Sequence, residues 1–377
     1  MKKRILVLGA GFGGLELCTT LSEAFGDAIE VTLIDKNDSF YFGFSKLDVM
    51  FGREQPNAVR LPYKKFLKPG VRLLQETISR VDPVAKRVTT DRGTHEADFL
   101  IVALGADYDF AATPGMDQAT EFYTLEGATR LGEMLKSFKQ GRVLIAVGGA
   151  PFKCPPAPSE AALMMHDYLT TRGIRGACEI TLILPLEIPI PPSPETSRAL
   201  LAAFAERNIT FVADREMRLV DTQRRMVTLD DGRQFPYDLF LGVPAIRAAK
   251  VLEQSGMTED GYVPVKPKTL ETKFPDVYAV GDCARQGTPK AGVFAEGAAR
   301  AVAKAIIARL RNEEVPLTHA GTGSCYIEFG AGRIGRVDVD FFSNPDHPIG
   351  KYYEPSVALR ADKVNFGASR RARWFGL

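Results

Sequence analysis

Long apolar runs are missing from this 377-residue chain: no stretch approaches the ~18 consecutive apolar residues of a membrane-spanning helix. Excess charge is missing too. With 48 basic against 46 acidic residues, the formal net charge of +2 gives no field that would draw a nucleic acid. Histidine is scarce, and His95, His166, His319 and His347 show no metal-ligand spacing, so no metal site and no Ser-His-Asp arrangement is expected from them. The five cysteines, an odd number scattered widely, are not a secreted disulfide framework. The opening MKKRILVLGAGFGGL has the basic head and apolar stretch of a signal peptide, but it breaks into glycines with no small-residue cleavage site. It reads as a first β-strand, and a cytoplasmic protein is expected. Otherwise the composition, 25% charged and 45% hydrophobic, is that of a globular protein long enough for about two or three domains.

What is present begins with RILVLGAGFGGLELCTTLSEAF, a strand, a glycine turn and a helix. Gly9, Gly11 and Gly14 match G-x-G-x-x-G, and a second strand AIEVTLID ends in Asp35, about 20 residues past the last glycine, where a ribose-binding acid belongs. The glycines let backbone N–H groups approach a pyrophosphate at the helix N-terminus. A bound dinucleotide is therefore expected.

The chain also repeats itself. Residues 71–106 recur in pattern as 209–245: a strand, a V-D turn, a charged strand, a hairpin turn at Asp91–Gly93 or Asp231–Gly232, then an apolar strand. The fold class expected is α/β, with two Rossmann-like domains and a small C-terminal α+β region. One domain (1–110 and 256–317) is interrupted by the other (111–255), and 318–377 forms the C-terminal piece. The second domain departs from the fingerprint. In GRVLIAVGGAPFKCPPAPSEAAL, Pro151, Phe152, Lys153 and Cys154 stand where pyrophosphate-approaching glycines belong, and the next strand ends at Pro185 rather than at an acid. The site reads as a degenerate NAD site. Cys154 lies just before a predicted helix, and Lys153 and the helix N-terminus both favour a thiolate; the alternative is a small buried hydrophobe.

Two further segments, ADFLIVALGA with Ala103 and Gly105, and FPDVYAVGDCA with Gly281 and Asp282, resemble the remaining FAD-contacting motifs of the flavoprotein disulfide reductase superfamily. FAD is the cofactor this implies, with Gly9, Gly11, Gly14, Asp35, Ala103, Gly105, Gly281 and Asp282 around it. The segment PFKCPPAPSEAA resembles the redox-cysteine segment of sulfide:quinone oxidoreductases and of the flavoprotein subunit of flavocytochrome c sulfide dehydrogenase. GTGSCYIEFGAGRIG supplies Cys325 in the context of their second cysteine. The resemblance implies a Cys154/Cys325 redox pair at the flavin, Glu160 as a proton-handling acid, sulfide or a related sulfur nucleophile as substrate, and a membrane quinone as acceptor. A third cysteine carried by some of these enzymes has no counterpart between Cys18 and Cys154, which argues against sulfur-chain growth by that route.

The tail 355–377 mixes Arg360, Lys363, Arg370, Arg371 and Arg373 with Phe366, Trp374, Phe375 and Leu377. Such a mixture suits peripheral contact with an anionic bilayer on its cytoplasmic face, or else an ordinary packed helix. Oligomeric state is not encoded in any motif, and a homo-oligomer is allowed. Two other functions compete: a single-subunit NADH:quinone oxidoreductase, which needs a working second nucleotide site, and a catalytically degenerate FAD-binding redox sensor.

Overall fold

The computed structural model describes residues 2–314, 318–344 and 346–377. It is a mixed α/β molecule with parallel sheets of Rossmann type, the fold class expected. The domain limit expected at residue 317 falls on 315–317, outside the described residues.

The first strands are apolar on both faces, as sheet strands covered by helices on both sides must be. β1 (Arg4–Leu8) and β2 (Glu30–Asp35) pair in parallel, Ile5 opposite Val31. Strand Val71–Gln75 lies beyond β2, while Phe99–Val102 and then Val277–Ala279 lie on the other side of β1. The chain thus reverses direction across β1. In open α/β sheets such a switch point leaves a crevice at the carboxyl ends of the strands. Helix α1 (Phe12–Phe25) starts there, directly after β1, and packs along the long helix Gly292–Arg311.

The second sheet repeats the scheme around strand Gly141–Val147, flanked by Cys178–Ile183 and then Ile209–Val212 on one side and by Leu239–Val243 on the other. The internal echo appears as two three-stranded antiparallel sheets, one of strands Ile78–Asp82, Arg87–Thr90 and Thr94–Glu96, the other of Met217–Asp221, Met226–Leu229 and Gln234–Pro236. Ala106–Asp109 and Ala245–Ala248 pair antiparallel where the chain leaves the first sheet and where it returns. A third sheet, Thr322–Glu328, Ile334–Asp340 and Ile349–Ser356, carries Cys325.

The end of the chain follows the second of the two readings open to it, a packed helix. Trp374 and Phe375 do not face outward: both are buried, Trp374 completely. The Trp374 indole meets Phe12 and Phe40 edge-on at 5.5 and 5.6 Å, and its Nε1–H donates to Glu16 Oε2 at 2.8 Å. The basic residues are drawn inward as well, Arg373 to Glu16 and Glu23, Arg370 to Glu296, and Lys363 to Glu328. A buried carboxylate on α1 recruits the tail, so Trp374, Phe375 and these cations pack against the domain, while Arg360 and Leu377 remain exposed. Among the described residues no helix is long and apolar enough to cross a membrane.

Trp374 fills a site walled by three phenylalanines and leaves Glu16 with one donor fewer if truncated. Trp374→Ala is expected to destabilise the protein by about 3–5 kcal/mol, read from denaturant unfolding of the flavin-loaded chain. A loss below about 1 kcal/mol would mean the tail is not part of the core.

Candidate active site

The crevice at the end of β1 is a cleft of ≈ 980 Å³. Three helices point their N-termini into it: α1, α4 (Ala157–Thr171) and Gly292–Arg311. None of the three has a side-chain cap; the absence leaves the first N–H groups of α1 and of Gly292–Arg311 available to a ligand, whereas the Ala157 N–H of α4 donates to the Cys154 carbonyl. The fingerprint glycines sit where only glycine fits. Gly9 has φ +98°, and a Cβ there would lie 2.4 Å from the Ala103 carbonyl oxygen. A Cβ on Gly14 would lie 1.9 Å from the Gly9 carbonyl, whereas Gly11 has nothing within 4 Å and faces open space. Gly105 and Gly281 also hold positive φ, at 67° and 77°. Asp35 accepts the Ala10 N–H at 2.7 Å, which fixes the carboxylate beside the glycine turn.

Asp282 lines the cleft together with Lys46, Lys153 and Lys290. Each lysine donates to a main-chain carbonyl, of Tyr123, Ala106 and Ala284 respectively, and each lies over a tyrosine ring. Burial pulls all three ammonium groups below their ordinary range, Lys46 to about 8. A glycine cradle, free helix N-termini and a surplus of cations fit a dinucleotide carrying a diphosphate and a ring that becomes anionic on reduction. FAD is this cofactor, and the cradle is the part of the chain that would hold its diphosphate.

Cys154 opens into the same cleft. It has φ +49°, a conformation unfavourable for a residue with a Cβ, and is pinned by its N–H donating to Lys290 O at 2.8 Å and its carbonyl accepting from Ala157 N at 2.9 Å. The preceding Phe152 is 3% exposed and packed in the core, so bulky side chains rather than glycines stand where a second fingerprint would be, and Pro151, Phe152 and Pro155 border an apolar cavity there.

Cys325 packs against the same core as Cys154 and lines an adjoining apolar cavity of ≈ 1630 Å³ under Pro191 and Pro192. Both thiols are free in this structure and not joined by a disulfide. Burial pushes both thiols up. Glu160 and then Cys325 add to this at Cys154, while Lys46 and the Ala157 amide oppose it. Cys18, Cys178 and Cys283 are buried.

Glu160, in the first turn of α4, is 3% exposed and lines the cleft. It accepts the Glu328 N–H at 3.1 Å and lies 3.8 Å from Lys363 Nζ, which bonds more closely to Glu328 at 2.7 Å. Burial raises Glu160 to about 7. Lys363 works against that rise, and Glu328 and Asp48 add to it. Lys363 also borders a second, open cavity with Asp48 and Arg53, so the ion cluster connects the cleft to the surface.

Lys46, Tyr123, Lys290 and Lys363 were not among the sequence candidates. Lys46 had a readable signal, a lone cation in the apolar run FGFSKLDVMF. Lys363 was read only as part of a basic tail.

A family model described as pyridine nucleotide-disulphide oxidoreductase matches residues 3–299. The chain is 23% identical over 357 residues to the mitochondrial sulfide:quinone oxidoreductase of Mus musculus, covering 90% of this chain and 79% of that protein. It is 25% identical over 300 residues to the type II NADH:quinone oxidoreductase of Staphylococcus saprophyticus, covering 75% of this chain and 74% of that protein. The solved structure of the sulfide:quinone oxidoreductase from Aquifex aeolicus superposes with a TM-score of 0.84 at 23% identity, covering 98% of this chain and 91% of that chain, which shows a shared fold.

Gly11→Val is expected to leave a folded chain with under about a tenth of the flavin, since Gly11 faces the open cleft where the diphosphate must approach and a side chain there competes for that space; visible absorbance per protein reads this. Glu160 makes a second prediction. Its folded value of about 7 lies above the ordinary 4.5. The native state therefore binds more protons through that window, and stability falls as pH rises through it. Difference infrared spectra should show a protonated carboxyl band lost with a midpoint near 7, absent in Glu160→Gln. A band already gone by about pH 5 would refute the raised value.

Proposed function

The chain belongs to the pyridine nucleotide-disulphide oxidoreductase family, and from that premise we propose that this FAD-dependent oxidoreductase oxidises sulfide, or a related small sulfur nucleophile, and passes the electrons to a quinone. The observation that carries the reading is Cys154. A thiol held at positive φ at the start of α4 opens into the flavin cleft, and proline and phenylalanine replace the glycines a second nucleotide fingerprint would carry. The relatives named sulfide:quinone oxidoreductase support the same substrate class.

The chemistry expected of these residues starts from a Cys154–Cys325 disulfide. Hydrosulfide attacks one sulfur, a new S–S bond forms as the old one breaks, and the other cysteine leaves as a thiolate. One cysteine then carries a persulfide. Its proton passes to the Glu160 carboxylate, which a value near neutrality suits to take and release protons, and on through Lys363 and Glu328 to the open cavity beyond. A second sulfur nucleophile then removes the outer sulfur of the persulfide as a polysulfide-class product and frees that cysteine as a thiolate, and re-forming the Cys154–Cys325 disulfide from the two thiolates releases two electrons, for which FAD, when bound, would be the acceptor. The α4 N-terminus steadies negative charge on Cys154 throughout. The quinone is the terminal acceptor of both electrons.

The type II NADH:quinone oxidoreductase relatives favour one competing reading, in which NADH is the donor. One anaerobic experiment separates the two. Sulfide is expected to bleach the flavin, and Cys154→Ser or Cys325→Ser to slow bleaching by about a hundredfold or more. Rapid bleaching by NADH with none by sulfide would overturn the proposal.

A further inference from the structure

Lys46 is a cation without a counter-ion. Its ammonium donates to the Tyr123 carbonyl at 2.5 Å and lies 5.4 Å from the centre of the Tyr123 ring, and among the described residues it forms no ion pair. Glu121, a carboxylate nearby, is already committed: it accepts the Tyr123 N–H at 2.5 Å, the Thr124 N–H at 2.8 Å and the Thr124 hydroxyl, and so builds the start of helix α3 (Leu125–Ser137). Tyr123 is 3% exposed and lines the cleft, yet its hydroxyl has no hydrogen-bond partner. A buried hydroxyl left unpaired costs about 1–3 kcal/mol, and a desolvated cation without a partner costs more. Both deficits disappear if a small anion sits between them.

The two groups belong to the thiol end of the cleft. The charges acting on Lys46 are Lys153, Cys154, Glu121 and Asp282, in that order, and those acting on Tyr123 are Cys154, Tyr108 and Glu160. Lys46, Tyr123 and Cys154 line one cleft, and Lys153 and Lys290 line it with them.

We propose that Lys46 and the Tyr123 hydroxyl form a subsite for a small monoanion of the hydrosulfide or thiolate class, placed beside Cys154 in the wall of the flavin cleft. The inference rests on the sulfide reading for the identity of its natural anion. In the site, Lys46 supplies the positive charge and Tyr123 an O–H donor. A monoanion is favoured over a dianion because the Glu160 carboxyl lines the same cleft and acts on Tyr123. The site works while Lys46 is protonated. Burial holds that group near 8, so the subsite empties as pH rises past this value. Lys153, Cys154, Glu121, Asp282, Tyr108, Tyr123 and Glu160 are the other titratable groups facing it.

The test compares an anionic with a neutral alkylating reagent on the full, FAD-loaded chain after reduction of its thiols. Iodoacetate and iodoacetamide both need the thiolate, so their rate ratio at Cys154 cancels the thiol's own ionisation and reports the charge beside it. Mass spectrometry of the Cys154 peptide supplies each rate. Below pH 8 the ratio should exceed that of free cysteine by about tenfold or more, and it should fall toward the free value as pH passes about 8. Lys46→Met should abolish the excess, Lys46→Arg should retain it, and Tyr123→Phe should reduce it in part. A wild-type ratio equal to that of free cysteine, a ratio unchanged in Lys46→Met, or failure of both reagents to reach Cys154 would each overturn the subsite. The wild-type measurement decides even where a variant does not fold. Sulfide bleaching is read separately. An iodoacetate excess without bleaching sinks the sulfide reading and leaves the subsite standing, and bleaching without the excess does the reverse.

Discussion

The carboxylate of Glu16 is the constraint around which the cleft is assembled. It lies two residues after the last fingerprint glycine, inside α1 and fully buried, and burial alone would drive it toward the neutral form. Hydrogen bonds from Arg373, Trp374 and Arg300 outweigh that cost and hold it below its ordinary range. Those donors come from the last residues of the chain and from the helix Gly292–Arg311, so a single charge ties α1 to two segments nearly three hundred or more residues away. Removing one partner of such a cluster would leave the others buried and unpaired, which is why it fixes position so firmly. Trp374, drawn in by Glu16, then rests on Phe12 and Phe40, which line the cleft.

Within that frame, three helix N-termini without side-chain caps share one cavity but serve different partners. Those of α1 and Gly292–Arg311 stand beside the glycine turn and Gly281, where a diphosphate needs close backbone approach. That of α4 faces Cys154 instead. The same local device, unpaired N–H groups and a favourable dipole, suits a phosphate in one place and a thiolate in another, and the choice is made by what precedes the helix. Glycine before α1 leaves open space. Phe152 and Cys154 before α4 fill that space and present sulfur.

Charge in the cleft is arranged by burial more than by pairing. The three lysines rest on carbonyl oxygens and tyrosine faces rather than on carboxylates, while burial raises Glu160 and Lys363, whose closer contact goes to Glu328, only partly offsets the rise. Cations short of counter-ions and a carboxyl near neutrality lie around one thiol. This combination is expensive in folding energy and common where proton and electron transfer are coupled.

The α/β class, the strand, glycine turn and helix at residues 4–25, and the echo between 71–106 and 209–245 were legible in the sequence because each is written locally. Apolar runs, glycines at fixed offsets and hairpin turns all act over a few residues. Cys154 and Cys325 were legible as candidates from the segments around them. That both thiols pack against one core is a tertiary fact, since more than 150 residues separate them and strand pairing in the third sheet decides which way Cys325 faces. The tail stayed open between two readings for a related reason: basic and aromatic residues look the same in sequence whether they meet a bilayer or a buried Glu16. Lys46, Tyr123 and Lys363 escaped notice because their meaning lies in desolvation, and desolvation is set by neighbours that only the folded chain brings near.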